Sequence, residues 1–157
     1  MMIEKLPITR QGLERLRREL QNILTVERPK NIKDIEEARS HGDLFENAEY
    51  HAAKERQALL EAKINELEMA INRSEVIEIK KEDIDKVFFG VTVELRNMSS
   101  DESVVYQLVG PYESDPDSGR ISVASPLGKA LIGKEEGDEI KLKTPGGIQE
   151  FEILEIH

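Results

Sequence analysis

The chain has no cysteine and no tryptophan, and only four phenylalanines and three tyrosines among 157 residues. Without cysteine it can form no disulfide and offers no thiolate to a metal, which fits a reducing cytoplasm. No apolar run approaches the ~20 residues of a membrane span. The opening MMIEKLPITR holds no apolar signal core. A soluble, cytoplasmic protein without a membrane partner is expected. Net positive charge is missing too: 22 Lys and Arg stand against 32 Asp and Glu, for a formal charge of −10. General binding to naked nucleic acid depends on Lys and Arg displacing counterions, so it is not expected. The deficit is uneven. Residues 1–75 carry 13 basic against 15 acidic side chains, and residues 76–157 carry 9 against 17. The first part tolerates a nearby polyanion, whereas the second suits another kind of partner. With 38% hydrophobic and 34% charged residues, the cores are expected to be thin.

Two hydrophobic periods divide what is present. From a candidate N-cap at Thr9, Leu13, Leu16, Leu20 and Ile23 recur in steps of three and four, the seam of a coiled coil. Pro29 breaks or kinks this helix, and the pattern resumes at Ile32, Ile35 and Ala38. A second series runs through Tyr50, Ala53, Gln57, Leu60, Ile64, Leu67 and Ile71. Two long helices joined by a few residues run antiparallel. Arms of roughly 28–32 residues give a hairpin of ~40–48 Å. Beyond Arg73-Ser74 the period becomes two. Strands are expected at 76–79, 87–95, 103–109, 120–124, 139–143 and 149–156. Pro126 to Ile132 is expected to be a short helix, with Ser125 as N-cap and Gly133 as stop. Thr144-Pro145-Gly146-Gly147 suits a type II turn. The expected fold class is α+β: a long antiparallel helical hairpin over 1–77, then an antiparallel sheet domain with one short helix over 78–157.

The stretch ARSHGDLFENAEYHAAKE, residues 38–55, is the most unusual. Three carboxylates, Asp43, Glu46 and Glu49, share a turn with His41, Gly42 and His51, so the expected tip spans 41–49. One account is structural. Gly42 ends the first helix in a left-handed conformation, Asp43 caps the second, and Glu46 completes an approximate capping box. The other is chemical. Asp43 and Glu46, at i and i+3, share one face of the helix start and could supply part of a Mg²⁺ site. Two carboxylates are too few for a closed octahedron, so the metal would be shared with a partner. His41 and His51 lack a zinc-ligand spacing. No Ser or Cys nucleophile paired with His, phosphate loop or nucleotide fingerprint is present.

EARSHGDLFENAEYHAAKE resembles the tip signature of the GreA family of transcription elongation and transcript-cleavage factors. The likeness spans the chain through PITRQGLERLRREL, RPKNIKDIEEAR, ISVASPLGKALIGKEEGDEI and TPGGIQEFEILEI. It implies an antiparallel coiled coil followed by an FKBP-like domain, acting as a monomer. In the family, the globular domain docks at the rim of the RNA polymerase secondary channel, and the coiled coil reaches the active centre. The residues matching Asp43 and Glu46 help hold a second Mg²⁺, and the polymerase hydrolyses backtracked nascent RNA. The implied protein is not itself an enzyme and binds no Mg²⁺ stably alone. Arg39, Tyr50 and Arg56 are candidate contacts to the RNA 3′ end, with Lys54 favoured as a solvated flank. Ser125 and Pro126 are candidate docking residues. Two departures stand out. Phe45 lies between the acids where relatives carry Lys or Ser, and Ala124 precedes Ser125-Pro126 where relatives can carry a polar residue.

Three other functions compete. A regulator of this shape could occlude the channel without promoting cleavage, and the Asp43/Glu46 pair argues against that. A prolyl isomerase needs an aromatic pocket that Phe88, Phe89, Tyr106 and Tyr112 supply poorly, and fold does not give function. A coiled-coil adaptor would dimerise through residues 10–73.

Overall fold

The computed structural model of the chain describes residues 4–42, 46–78, 80, 82 and 84–157. They form two compact units, Leu13–Arg73 and Met1–Gly12 with Ser74–His157. A helical hairpin and a sheet domain with one short α-helix make the expected α+β architecture. Residues 4–12, however, group with the sheet unit rather than with the hairpin.

In the hairpin, α1 (Arg10–Asn22) leads through a π-helical turn (Ile23–Glu27) into α2 (Arg28–Arg39), and α3 (Ala48–Arg73) returns. The return is antiparallel. Ion pairs join Lys63 to Glu19 at 3.6 Å, Arg56 to Glu27 at 3.3 Å and Arg28 to Glu61 at 3.0 Å. Pro29 does not break the helix. It has no N–H for the carbonyl four residues back, and its ring would collide with that carbonyl. The chain widens instead, and the Arg28 N–H bonds to the Ile23 carbonyl, five residues back.

The wide turn adds one residue to the period and shifts the seam. Asn31, 2% exposed, faces inward in place of the expected Ile32, which is 46% exposed. Ile35, Ala38, Ala53, Leu60, Ile64 and Leu67 are buried as the spacing predicts. The apolar cluster gathers Ile23, Leu60, Ile64 and Leu67, with Leu16 and Leu20 beside it. Each such side chain fully buried is worth about 1.5–3 kcal/mol.

The second unit holds a small parallel pair, β1 (Leu6–Ile8) with β2 (Ser74–Val76). Its main sheet has the order β5-β4-β3-β7-β6. These strands are β3 (Thr92–Asn97), β4 (Ser103–Val109), β5 (Arg120–Ser122), β6 (Glu139–Thr144) and β7 (Gly147–Ile156), with α4 (Pro126–Leu131) between β5 and β6. β4 has the expected limits. The expected all-antiparallel sheet is mixed, because β5 pairs parallel to β4. Short 3₁₀ turns at Pro111–Glu113 and Pro116–Ser118 carry the chain back so that it re-enters in the same direction.

The strand expected at 87–95 begins only at Thr92. Val87 is tied instead to the end of α4, donating to the Lys134 carbonyl and accepting from Gly133 N, both at 2.8 Å. At 76–79 the strand present is Ser74–Val76, and Ile79 lies outside the described residues. The closing hairpin is not type II, since the positive φ (123°) falls on Gly147 rather than Gly146. Type I and II turns splay paired strands, and a left-handed residue just after the turn restores their twist. The core packs fully buried Val93, Leu95, Leu108 and Leu131 with Phe151 and Ile153.

Candidate functional site

The turn between α2 and α3 is built from its own backbone. Ser40 N donates to the Glu37 carbonyl at 3.1 Å, His41 N to Ala38 O at 3.2 Å and Gly42 N to Arg39 O at 3.4 Å. Gly42 has φ +104°, and a Cβ there would meet nothing within 4 Å, so its glycine answers backbone conformation rather than crowding.

The helix cap is not where the sequence places it. α3 begins at Ala48, and Asn47 accepts at Oδ1 from Tyr50 N at 3.0 Å. That is the bond of an N-cap residue to the third residue of its helix. Asn47 also donates from Nδ2 to the Ala38 carbonyl at 2.6 Å, tying the start of α3 to the end of α2. The capping box expected from Asp43 and Glu46 is therefore corrected. The cap belongs to Asn47, and Glu46 precedes the helix instead of lying in its first turn. The local signal was available: Asn directly before Ala-Glu is itself a strong N-cap pattern. Asn47→Ala is expected to cost about 1 kcal/mol, lowering the midpoint of a urea melt followed by helical circular dichroism.

Glu46 is exposed. Asp43 and Phe45 lie outside the described residues. An open cavity of about 480 Å³ is lined by His41, Glu46, Asn47, Ala48 and Glu49. Among the described residues no three His, Cys, Asp or Glu side chains are grouped to hold a metal. The donors at hand are hard carboxylate oxygens, which suit Mg²⁺ better than soft metals.

The other candidates are partly brought together. The Arg39 guanidinium carbon lies 5.9 Å from the centroid of the Tyr50 ring, within cation–π reach. Tyr50 meets His51 edge to face at 5.7 Å. Arg56 stands apart, paired with Glu27 at 3.3 Å, beside a groove of about 380 Å³ that also includes Asp34, Glu37 and Glu49. In the other unit, Ser125 Oγ caps α4 by accepting from Gly128 N at 3.1 Å, and it donates to the Ser122 carbonyl at 2.6 Å. Pro126, first residue of α4, is exposed.

Residues 6–76 match the family described as transcription elongation factor, N-terminal, and residues 80–157 that described as transcription elongation factor, GreA/GreB, C-term. The chain belongs to the GreA/GreB family of transcription elongation factors. The transcription elongation factor GreA of Syntrophus aciditrophicus is 52% identical, covering 99% of this chain and 96% of its own. GreA of Rhodospirillum rubrum is 54% identical, with 96% of each covered. GreA of Syntrophobacter fumaroxidans is 53% identical, with 97% of each covered. Both units of this GreA/GreB member thus fall within the matched span, the helical turn included. Among the described residues, no helix is long and apolar enough to cross a membrane.

Proposed function

We propose that this elongation factor stimulates RNA polymerase to hydrolyse its own backtracked nascent RNA, so that arrested complexes resume. In this reading the helical hairpin enters the secondary channel, and Glu46 with Asp43 lends carboxylate oxygens to a shared Mg²⁺. The observation that carries it is the cap: Asn47 does the structural work at the start of α3, leaving Glu46 exposed in front of the helix. Glu46 has no hydrogen-bond or salt-bridge partner among the described residues, so its oxygens are available to another molecule.

A Mg²⁺ held there would polarise a phosphoryl oxygen and acidify the attacking water. Two carboxylates cannot complete an octahedron, so the remaining ligands and the substrate belong to the polymerase. The chain by itself is then no nuclease, acts as a monomer and works in the cytoplasm. Arg39 and Tyr50, already paired, offer a stacking and phosphate-binding face to the RNA 3′ end. Arg56 would have to leave Glu27 to join them. Pro126 offers the exposed part of the docking surface, with Ser125 holding the turn beneath it.

The test adds the chain to a halted, backtracked bacterial elongation complex in Mg²⁺ buffer. Short 3′ RNA fragments and resumed extension are expected, with no cutting of free RNA. Competition with another channel occupant, but no shortening of the RNA, would replace this reading with channel occlusion.

A further inference from the structure

The hairpin is fastened by two different means along its length. Its apolar cluster is Ile23, Leu60, Ile64 and Leu67. Nearer the turn, the buried apolar residues are Ile35, Ala38 and Ala53, a thinner seam in which two of the three are alanines. Two asparagine amides take over there, in opposite directions. Asn31 of α2 donates from Nδ2 to the Ala53 carbonyl of α3 at 2.9 Å. Asn47, at the start of α3, donates from Nδ2 to the Ala38 carbonyl of α2 at 2.6 Å.

A buried amide is costly without its bond, and Ile32 stands next in sequence. The π-helical turn, through its extra residue, brings Asn31 rather than Lys30 to the inward side. Hydrogen bonds are directional, so Asn31 reaches the Ala53 carbonyl in one stagger of α2 against α3. Apolar seams alone tolerate alternative registers, and a single buried Asn is a known way to select one at some cost in stability.

We propose that Asn31 is a positioning residue: with Asn47 it forms a two-point amide clasp that holds the last turns of the hairpin in one stagger and so fixes where Glu46 stands. Its consequence for RNA release rests on the proposed function, whereas the clasp itself is a property of the hairpin.

The test uses the full chain. With no native cysteine, Glu36→Cys and Lys54→Cys take spin labels cleanly on the two helices, either side of one groove. Asn31→Leu then makes the position apolar. The melting temperature is expected to hold or rise. The label-to-label distance distribution is expected to broaden, and amides of residues 48–53 to exchange about fivefold faster, as loss of one hydrogen bond would produce. The rate of RNA release at saturating factor should fall, with the half-saturating concentration unchanged. A distribution as narrow as the parent's together with a full release rate would overturn the clasp. So would a lower melting temperature with unchanged distances, which would make Asn31 a packing residue only. If the parent releases no RNA, that failure belongs to the proposed function, and distances and exchange alone decide the clasp.

Discussion

Glu46→Gln is expected to cut RNA release by at least about 100-fold, since outer-shell partners of a metal are already worth 10–100-fold. Polymerase binding and melting temperature are expected to stay unchanged. Glutamine keeps the size and one oxygen but removes the charge that makes a good Mg²⁺ ligand. Stability should move by no more than about 0.5 kcal/mol, because the side chain is exposed and takes no part in the hydrogen bonds of the neighbouring cap residue Asn47. If the carboxylate acts through metal affinity, raising Mg²⁺ should restore part of the rate in the variant and change the parent little. A variant that releases RNA at the parental rate would remove Glu46 from the mechanism. One that loses binding as well would make it a docking residue.

Legibility in the sequence followed the range of the interactions. The helices, β4 and the Ser125 cap of α4 rest on periodicity and neighbours a few residues apart, and they stand where the spacing places them. The seam near Pro29 did not. The apolar residues beyond Pro29 suggest Ile32 as the inward position, whereas the period carried from Ile23 through the five-residue bond of Arg28, one residue longer than an ordinary turn, points inward at Asn31, Ile35 and Ala38. At the tip the spacing of Asp43 and Glu46 points to a capping box, whereas the cap belongs to Asn47, directly before Ala48. The tie from Asn47 to Ala38 spans nine residues and has no sequence signature. Pairings across longer distances were invisible: β1 with β2 joins residue 6 to residue 74, and the parallel sense of β5 depends on the path of two 3₁₀ turns. Glu113, within an acidic half of the chain, resembles any surface glutamate until the structure buries it.

Glu113→Ala is expected to destabilise the sheet unit by about 3–9 kcal/mol, taking each of three buried donors left without an acceptor at 1–3 kcal/mol. The carboxylate is 6% exposed. It accepts from Thr9 N at 3.0 Å, from Gly110 N at 2.9 Å and from the Thr9 hydroxyl. That hydroxyl in turn accepts from Gly12 N at 3.0 Å, capping α1. Two glycines make the room. A Cβ on Gly12 would lie 2.0 Å from Glu113 Oε1, and one on Gly110 would lie 1.7 Å from the Pro7 carbonyl oxygen. Alanine at 113 strands all three donors where no side chain replaces the acceptor. Glutamine is expected to cost less, about 1–2 kcal/mol, because it loses charge assistance but keeps an oxygen for both amides. Its NH₂ can meet the second lone pair of the Thr9 hydroxyl. Calorimetric melting should therefore rank the parent above Glu113→Gln, and Glu113→Gln well above Glu113→Ala. Hydrogen exchange should show where the alanine variant opens first. β1 and β2 are three residues each, and an isolated two-stranded pair is marginal in water, so the amides of Leu6 and Ile8 should lose protection before those of β3 and β7. Equal melting of the alanine variant and the parent would show that this buried carboxylate contributes nothing to holding the amino-terminal strand.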